Sequence, residues 1–159
     1  MLVNMDSQIP NKVVLQAIKE KKIYGFEDLT FLKQEAVYGK SRFDIYFETA
    51  NDKGFIEVKG VTLEDGGVCM FPDAPTLRGT KHILEMIDAV SEGYIGIVFF
   101  LIQMKGPKLF RLNWGMDKAF SEAVALANKK GVKILAYDSR VTRDSILLDK
   151  QIKTDLREA

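Results

Sequence analysis

Ser41-Arg42-Phe43-Asp44-Ile45-Tyr46-Phe47-Glu48, then Thr49-Ala50-Asn51-Asp52-Lys53-Gly54, then Phe55-Ile56-Glu57-Val58-Lys59-Gly60-Val61: these three stretches decide how the chain reads. The first alternates with period two, Phe43, Ile45 and Phe47 on one face against Arg42, Asp44, Tyr46 and Glu48 on the other. The third alternates likewise, with Ile56 and Val58 opposed to Phe55, Glu57, Lys59 and Val61. Between them the Asn, Asp and Gly are turn formers, so the spacing predicts a β-hairpin. Closing the loop with Thr49 opposite Gly54 sets Asp44 opposite Lys59 and Tyr46 opposite Glu57. Residues opposite one another in an antiparallel pair share a face, so Asp44, Glu57 and Lys59 converge.

Upstream, Val14, Ala17, Ile18 and Lys21 fall on one face of a helix over Lys12 to Lys22, and Thr30 to Val37 reads as a strand. Downstream, Gly66-Gly67 turns into a short strand, Val68 to Phe71. A helix follows from about Thr76 to Glu92, with Ile83, Leu84, Ile87 and Val90 as its buried stripe and Asp73 as its cap. Tyr94 to Met104 is an apolar run of strand type, expected where both sheet faces are covered. Asp117 caps a helix through Lys130, and Val132 to Tyr137 is a further strand. The order of elements predicts one α/β domain, a mixed β-sheet flanked by helices. Within 1–159, residues 1–28 form an N-terminal helix region, 29–150 carry sheet, helices and site, and 151–159 are a tail.

The 159 residues, 47% hydrophobic and 28% charged, suffice for one core of ordinary size. A net charge of +1 is unlike that of a histone or a polybasic tail and neither demands nor excludes nucleic acid, so any anion must be gathered by a local patch. The lone Cys69 rules out an intrachain disulfide and a cysteine zinc site. No leader pattern or span of about 20 apolar residues is present, so a soluble cytoplasmic protein without membrane association is expected. Homo-oligomer formation is left open.

Two carboxylates and an ammonium at one spot have a chemical use. Hard divalent cations such as Mg²⁺ take oxygen ligands, typically one or two carboxylates with water completing the shell. The metal neutralises charge on a phosphate, and a nearby lysine orients water or stabilises the transition state. The bland alternative is a strand with one wet face and a surface ion-pair ladder. Arg42 alternates onto the face of Asp44. Arg78, Lys81, His82 and Glu85 share a helix face suited to phosphate. Asn11 is read as an N-cap or a group orienting substrate, Glu35 as a third acid or a solvated charge. Trp114 with Phe110 and Arg111 is a stacking candidate, weaker than packing.

The wording adds to the pattern. Ser41-Arg42-Phe43-Asp44, Glu57-Val58-Lys59-Gly60-Val61-Thr62-Leu63, Phe71-Pro72-Asp73-Ala74 and Arg78-Gly79-x-x-His82 resemble the sugar fermentation stimulation protein (SfsA) family, from about Val3 to Lys153. The resemblance implies the family's C-terminal domain, of the restriction-endonuclease-like PD-(D/E)XK fold. It implies Asp44, Glu57 and Lys59 as the catalytic set, with Asp44 and Glu57 holding Mg²⁺ or Mn²⁺. Arg42, Arg78 and His82 become phosphate contacts, with Glu35, Asp73 and Asn11 in support. DNA is the implied partner. Metal-dependent DNA cleavage is one expectation; a non-catalytic DNA-binding or regulatory module of sugar metabolism on the same scaffold is another, and a purely structural domain a third. The family usually carries a smaller OB-like β domain ahead of this one. Fewer than about 30 residues precede the first strand, too few for such a barrel, so a truncated, stand-alone or fragmentary form is expected.

Overall fold

A computed structural model describes residues 9–158. Residues 1–8, where the expected N-terminal helix region begins, and residue 159, which ends the expected tail, lie outside the described residues. Ten strands and three helices follow in the order α1 (Ile9–Lys19), β1 (Leu29–Tyr38), β2 (Ser41–Thr49), β3 (Lys53–Val61), β4 (Leu63–Asp65), β5 (Val68–Phe71), α2 (Leu77–Ser91), β6 (Ile95–Ile102), β7 (Leu109–Leu112), α3 (Lys118–Lys129), β8 (Lys133–Val141), β9 (Ile146–Gln151) and β10 (Lys153–Asp155), counted among the described residues.

Six strands make the main sheet in the order β1-β2-β3-β6-β8-β9, and β10-β7-β5-β4 make a smaller one. The main sheet is mixed: β3, β6 and β8 run parallel, with antiparallel strands on both flanks. Strand β6, Ile-Gly-Ile-Val-Phe-Phe-Leu-Ile, is buried almost throughout, because helices or strands cover both of its faces. Its alternate residues serve two cores. Val98, Phe100 and Ile102 pack with α2, α3 and the small sheet, while Ile97, Phe99 and Leu101 pack toward α1. Helix α1 covers the second face through Val13, Val14, Ala17 and Ile18, the two valines and the isoleucine each being worth roughly 1.5–3 kcal/mol.

The hairpin forms, with a register two residues away from the expected one. Phe47 faces Gly54 and Glu48 faces Lys53, because the loop closes more tightly: Thr49 N–H donates to the carbonyl of Asp52, whose own N–H donates to Thr49 Oγ1. A shift of two leaves every side chain within the paired stretch on its expected face. Gly54 is required there, since a Cβ would stand 2.3 Å from the carbonyl oxygen of Ile95 on β6.

Three further expectations are corrected. The cap of α2 is Thr76, not Asp73: Thr76 Oγ1 accepts the N–H of Gly79, and Asp73 is exposed in the preceding loop. The buried stripe of α2 is Gly79, His82, Ile83, Met86 and Ala89, with Leu84 46% exposed, because His82 has a partner on β3 that turns this face inward. Residues 151–155 are no tail: β10 pairs with β7 and Ile152 is buried, a long-range pairing with no local signal.

Candidate metal and phosphodiester site

The β2–β3 ladder runs from Glu48↔Lys53 to Ile45↔Ile56 and stops. Beyond that point β3 keeps only β6 as neighbour, and β2 diverges from it. Phe43 accordingly leaves the face it was expected to share with Ile45 and Phe47. It packs into the core under α2, while they pack toward α1. Asp44 sits at this break. Extending the count sets it level with Glu57, not Lys59, and its Oδ2 accepts the N–H of Val58 at 2.7 Å. A side chain thus occupies the place of the missing strand partner.

Helix α1 supplies the second contact. Asn11 lies inside the helix rather than capping it, and its Nδ2 donates to Asp44 Oδ1 at 3.1 Å. The close approach depends on Gly60, where a Cβ would meet Pro10 Cγ at 2.9 Å and Gln103 Oε1 at 2.3 Å. Glu57 projects from β3 toward α2 and is 2% exposed. Its Oε2 takes His82 Nδ1–H at 2.6 Å and Lys59 Nζ at 3.2 Å. Its Oε1 is buried and takes no N–H donor, and the Asp44 carboxyl hydrogen-bonds to Glu57 when it carries its proton.

The two acids are not equivalent. Burial, and then the neighbouring Glu57 charge, push the Asp44 carboxyl up to about 7 despite the Val58 N–H. Burial also works against the charge on Glu57, but the His82 hydrogen bond and Lys59 outweigh it and hold Glu57 below the usual carboxylate range. A cleft of about 390 Å³ opens over this pair. Glu35, Arg42 and Lys59 edge it from the strands, Asn11 from α1, and Thr76, Arg78, Gly79 and His82 from α2.

Every residue of the expected set lines this cleft except Asp73. Of the other candidates on α2, Glu85 instead accepts the N–H of Lys40 in the β1–β2 turn. Phe110 is fully buried and not free to stack. Glu35 stands out on its backbone: it holds a left-handed φ of 56° within β1, where pairing passes from Gln34↔Ile45 to Ala36↔Phe43. A non-glycine residue there costs about 1–3 kcal/mol. Sequence reasoning missed Thr76 as a cleft residue, and the N–H of Val58, a backbone group that no residue type announces.

Among the described residues no group of three or more His, Cys, Asp or Glu side chains forms a ready-made metal site. A pair of carboxylates is nevertheless what a cation that keeps most of its waters takes from a protein. The orphaned Oε1 of Glu57 and the crowded Asp44 fit such an ion, since a positive charge between them relieves both.

The family described as the sugar fermentation stimulation protein RE domain matches residues 8–145. The chain belongs to the sugar fermentation stimulation protein family. Curated relatives include the sugar fermentation stimulation protein homologs of Alkaliphilus oremlandii, 59% identical over 99% of this chain and 68% of that protein, and of Clostridium tetani, 54% identical over 97% and 67%. The chain thus spans about two thirds of their length. Among solved structures, Pyrococcus furiosus SfsA in complex with Ca²⁺ superposes with a TM-score of 0.90 at 24% identity, covering 96% of this chain and 67% of that one. The SfsA fold is therefore shared, a mixed sheet flanked by helices consistent with the nuclease-like architecture the sequence implies. No helix among the described residues is long and apolar enough to cross a membrane.

Proposed function

We propose that this SfsA-family chain is a divalent-metal-dependent DNA-processing domain that cleaves phosphodiesters, with Asp44 and Glu57 holding Mg²⁺ or Mn²⁺. The observation that carries the reading is the buried Oε1 of Glu57, which takes no N–H donor, beside the Asp44 carboxyl in a cleft edged by Lys59, Arg42 and Arg78. The all-oxygen donor pair suits a hard cation, and the Ca²⁺ held by the Pyrococcus furiosus protein is an ion of that kind. When bound, such an ion neutralises charge growing on a phosphate and lowers the pKa of water.

The chain's own residues do the rest. Lys59 Nζ, held at Glu57 by one contact, has N–H groups left to orient a water or steady a phosphate oxygen. Arg78 and Arg42, exposed on opposite sides of the cleft, bind flanking phosphates, Arg78 with the planar fork that suits two oxygens at once. Asn11 keeps Asp44 turned toward Glu57. The buried, free Cys69 suits a reducing cytoplasm.

Labelled single- and double-stranded DNA incubated with Mg²⁺ and then Mn²⁺ tests the reading. The parent chain should cut in a metal-dependent way, and Lys59→Ala should lose roughly 10²–10³ in rate. No cutting under either metal would overturn the hydrolase reading and leave the binding module. DNA affinity would then survive Lys59→Ala and fall steeply with salt as phosphate contacts release counterions.

A further inference from the structure

His82 is the chain's single histidine, and from the wall of the cleft its Nδ1 faces a carboxylate. Its ring lies on the buried side of α2 with its edge toward Phe43, the centroids 6.4 Å apart and the planes at 74°. We propose that His82 is a positioning residue: it locks the Glu57 carboxylate so that Oε1 alone is presented to a divalent cation. The inference rests on the metal-dependent reading above and assigns a separate part in it.

A carboxylate at the end of a glutamate side chain turns almost freely between two equivalent settings. In Glu57 the two oxygens are unequal: Oε2 takes two nitrogen donors, from His82 and Lys59, and Oε1 takes none. Lys59 alone could not enforce this, because a flexible ammonium follows whichever oxygen turns toward it. An imidazole anchored on a packed helix does not follow. His82 Nδ1, at 2.6 Å, is also nearer to Oε2 than Lys59 Nζ at 3.2 Å, so the ring sets the carboxylate and the lysine adapts. Hydrogen-bond partners behind a metal ligand do this in general, and their loss typically costs 10–100-fold in metal affinity. A second effect follows: with His82 sharing Oε2, Lys59 is not the sole partner of a buried charge and remains available to the cleft.

The test is Mn²⁺ binding by calorimetry to the parent chain, His82→Leu and His82→Asn, with thermal unfolding of each as a check on folding. Leucine fills the space without a donor, whereas the asparagine amide nitrogen approximates the position of Nδ1. His82→Leu should bind Mn²⁺ about 10–100-fold more weakly, with His82→Asn recovering most of the loss. Equal affinity for the parent and a folded His82→Leu overturns the proposal, as does an equal loss in both variants, which would assign the effect to packing. A parent chain that binds no Mn²⁺ overturns the metal-dependent reading itself. Should His82→Leu not fold, nitrogen NMR of the single imidazole in the intact chain decides instead. The ring should be the Nδ1–H tautomer and shift on addition of Mg²⁺; an Nε2–H tautomer, or no response to the ion, overturns the positioning role.

Discussion

Asp44 carries its proton differently in the folded and unfolded chain. Its folded value is about 7, against 3.8 for a free aspartate. Between roughly pH 4 and 7 the folded state therefore binds a proton that the unfolded state has released, and stability falls as pH rises. A shift of this size corresponds to about 4 kcal/mol across the window. Glu57, held below its ordinary value of 4.5, acts with the opposite sign, adding stability as pH rises to about that value and no further above it. Urea midpoints in chelator should thus be higher at pH 5 than at pH 8, and Asp44→Asn should flatten the difference. A parent midpoint that climbs with pH would contradict the crowding of the two acids. Strand alternation made Asp44, Glu57 and Lys59 legible as neighbours, since a register error of two leaves faces unchanged. What no alternation conveys is that Val58 N–H and Asn11 both end on Asp44, because each depends on where β2 leaves β3.

At the scale of elements, Asp117 joins two helices. Its Oδ1 accepts the N–H of Phe120 in the first turn of α3, and its Oδ2 accepts the N–H of Thr76, the cap of α2. One carboxylate therefore lies at the positive ends of both helices, a favourable place for negative charge. Thr76→Ala should cost about 1 kcal/mol, the usual worth of a cap, and Asp117→Ala about twice that. Urea unfolding of both variants checks the order; a milder effect for Asp117→Ala would show that the joint is unimportant. Asp117 was readable because it directly precedes its own helix. For α2 two capping types, Asp73 and Thr76, lay within reach of the start, and only the contact with Asp117 from a distant part of the chain selects the second. The stripe of α2 misled for a related reason. Leu84 is apolar but has no layer above it, whereas His82 is polar but has Glu57.

At the scale of the whole molecule, metal and fold are linked. A ligand that binds only the folded chain adds stability by mass action, about 2.7 kcal/mol at a hundredfold excess over its Kd. For a chain of this size each kcal/mol moves Tm by roughly 2–4 °C. Saturating Mn²⁺ should therefore raise Tm by several degrees, and Asp44→Ala should abolish the rise; an unchanged parent Tm would count against the site. The sheet order was partly legible: the hairpin and the doubly covered β6 fix the middle. The small sheet was not, because β5, β7 and β10 are short and join segments far apart in sequence. Three or four residues carry too little periodicity to announce a partner.

The peptide N–H of Val58 belongs to the sheet by sequence and to the site by bonding. Its exchange with heavy water is therefore set by a side chain at a centre of changing charge, not by a neighbouring strand. Anything that fixes Asp44 fixes this one amide, and anything that withdraws Asp44 exposes it. The fold has a reporter wired into its own backbone, readable with no substrate present.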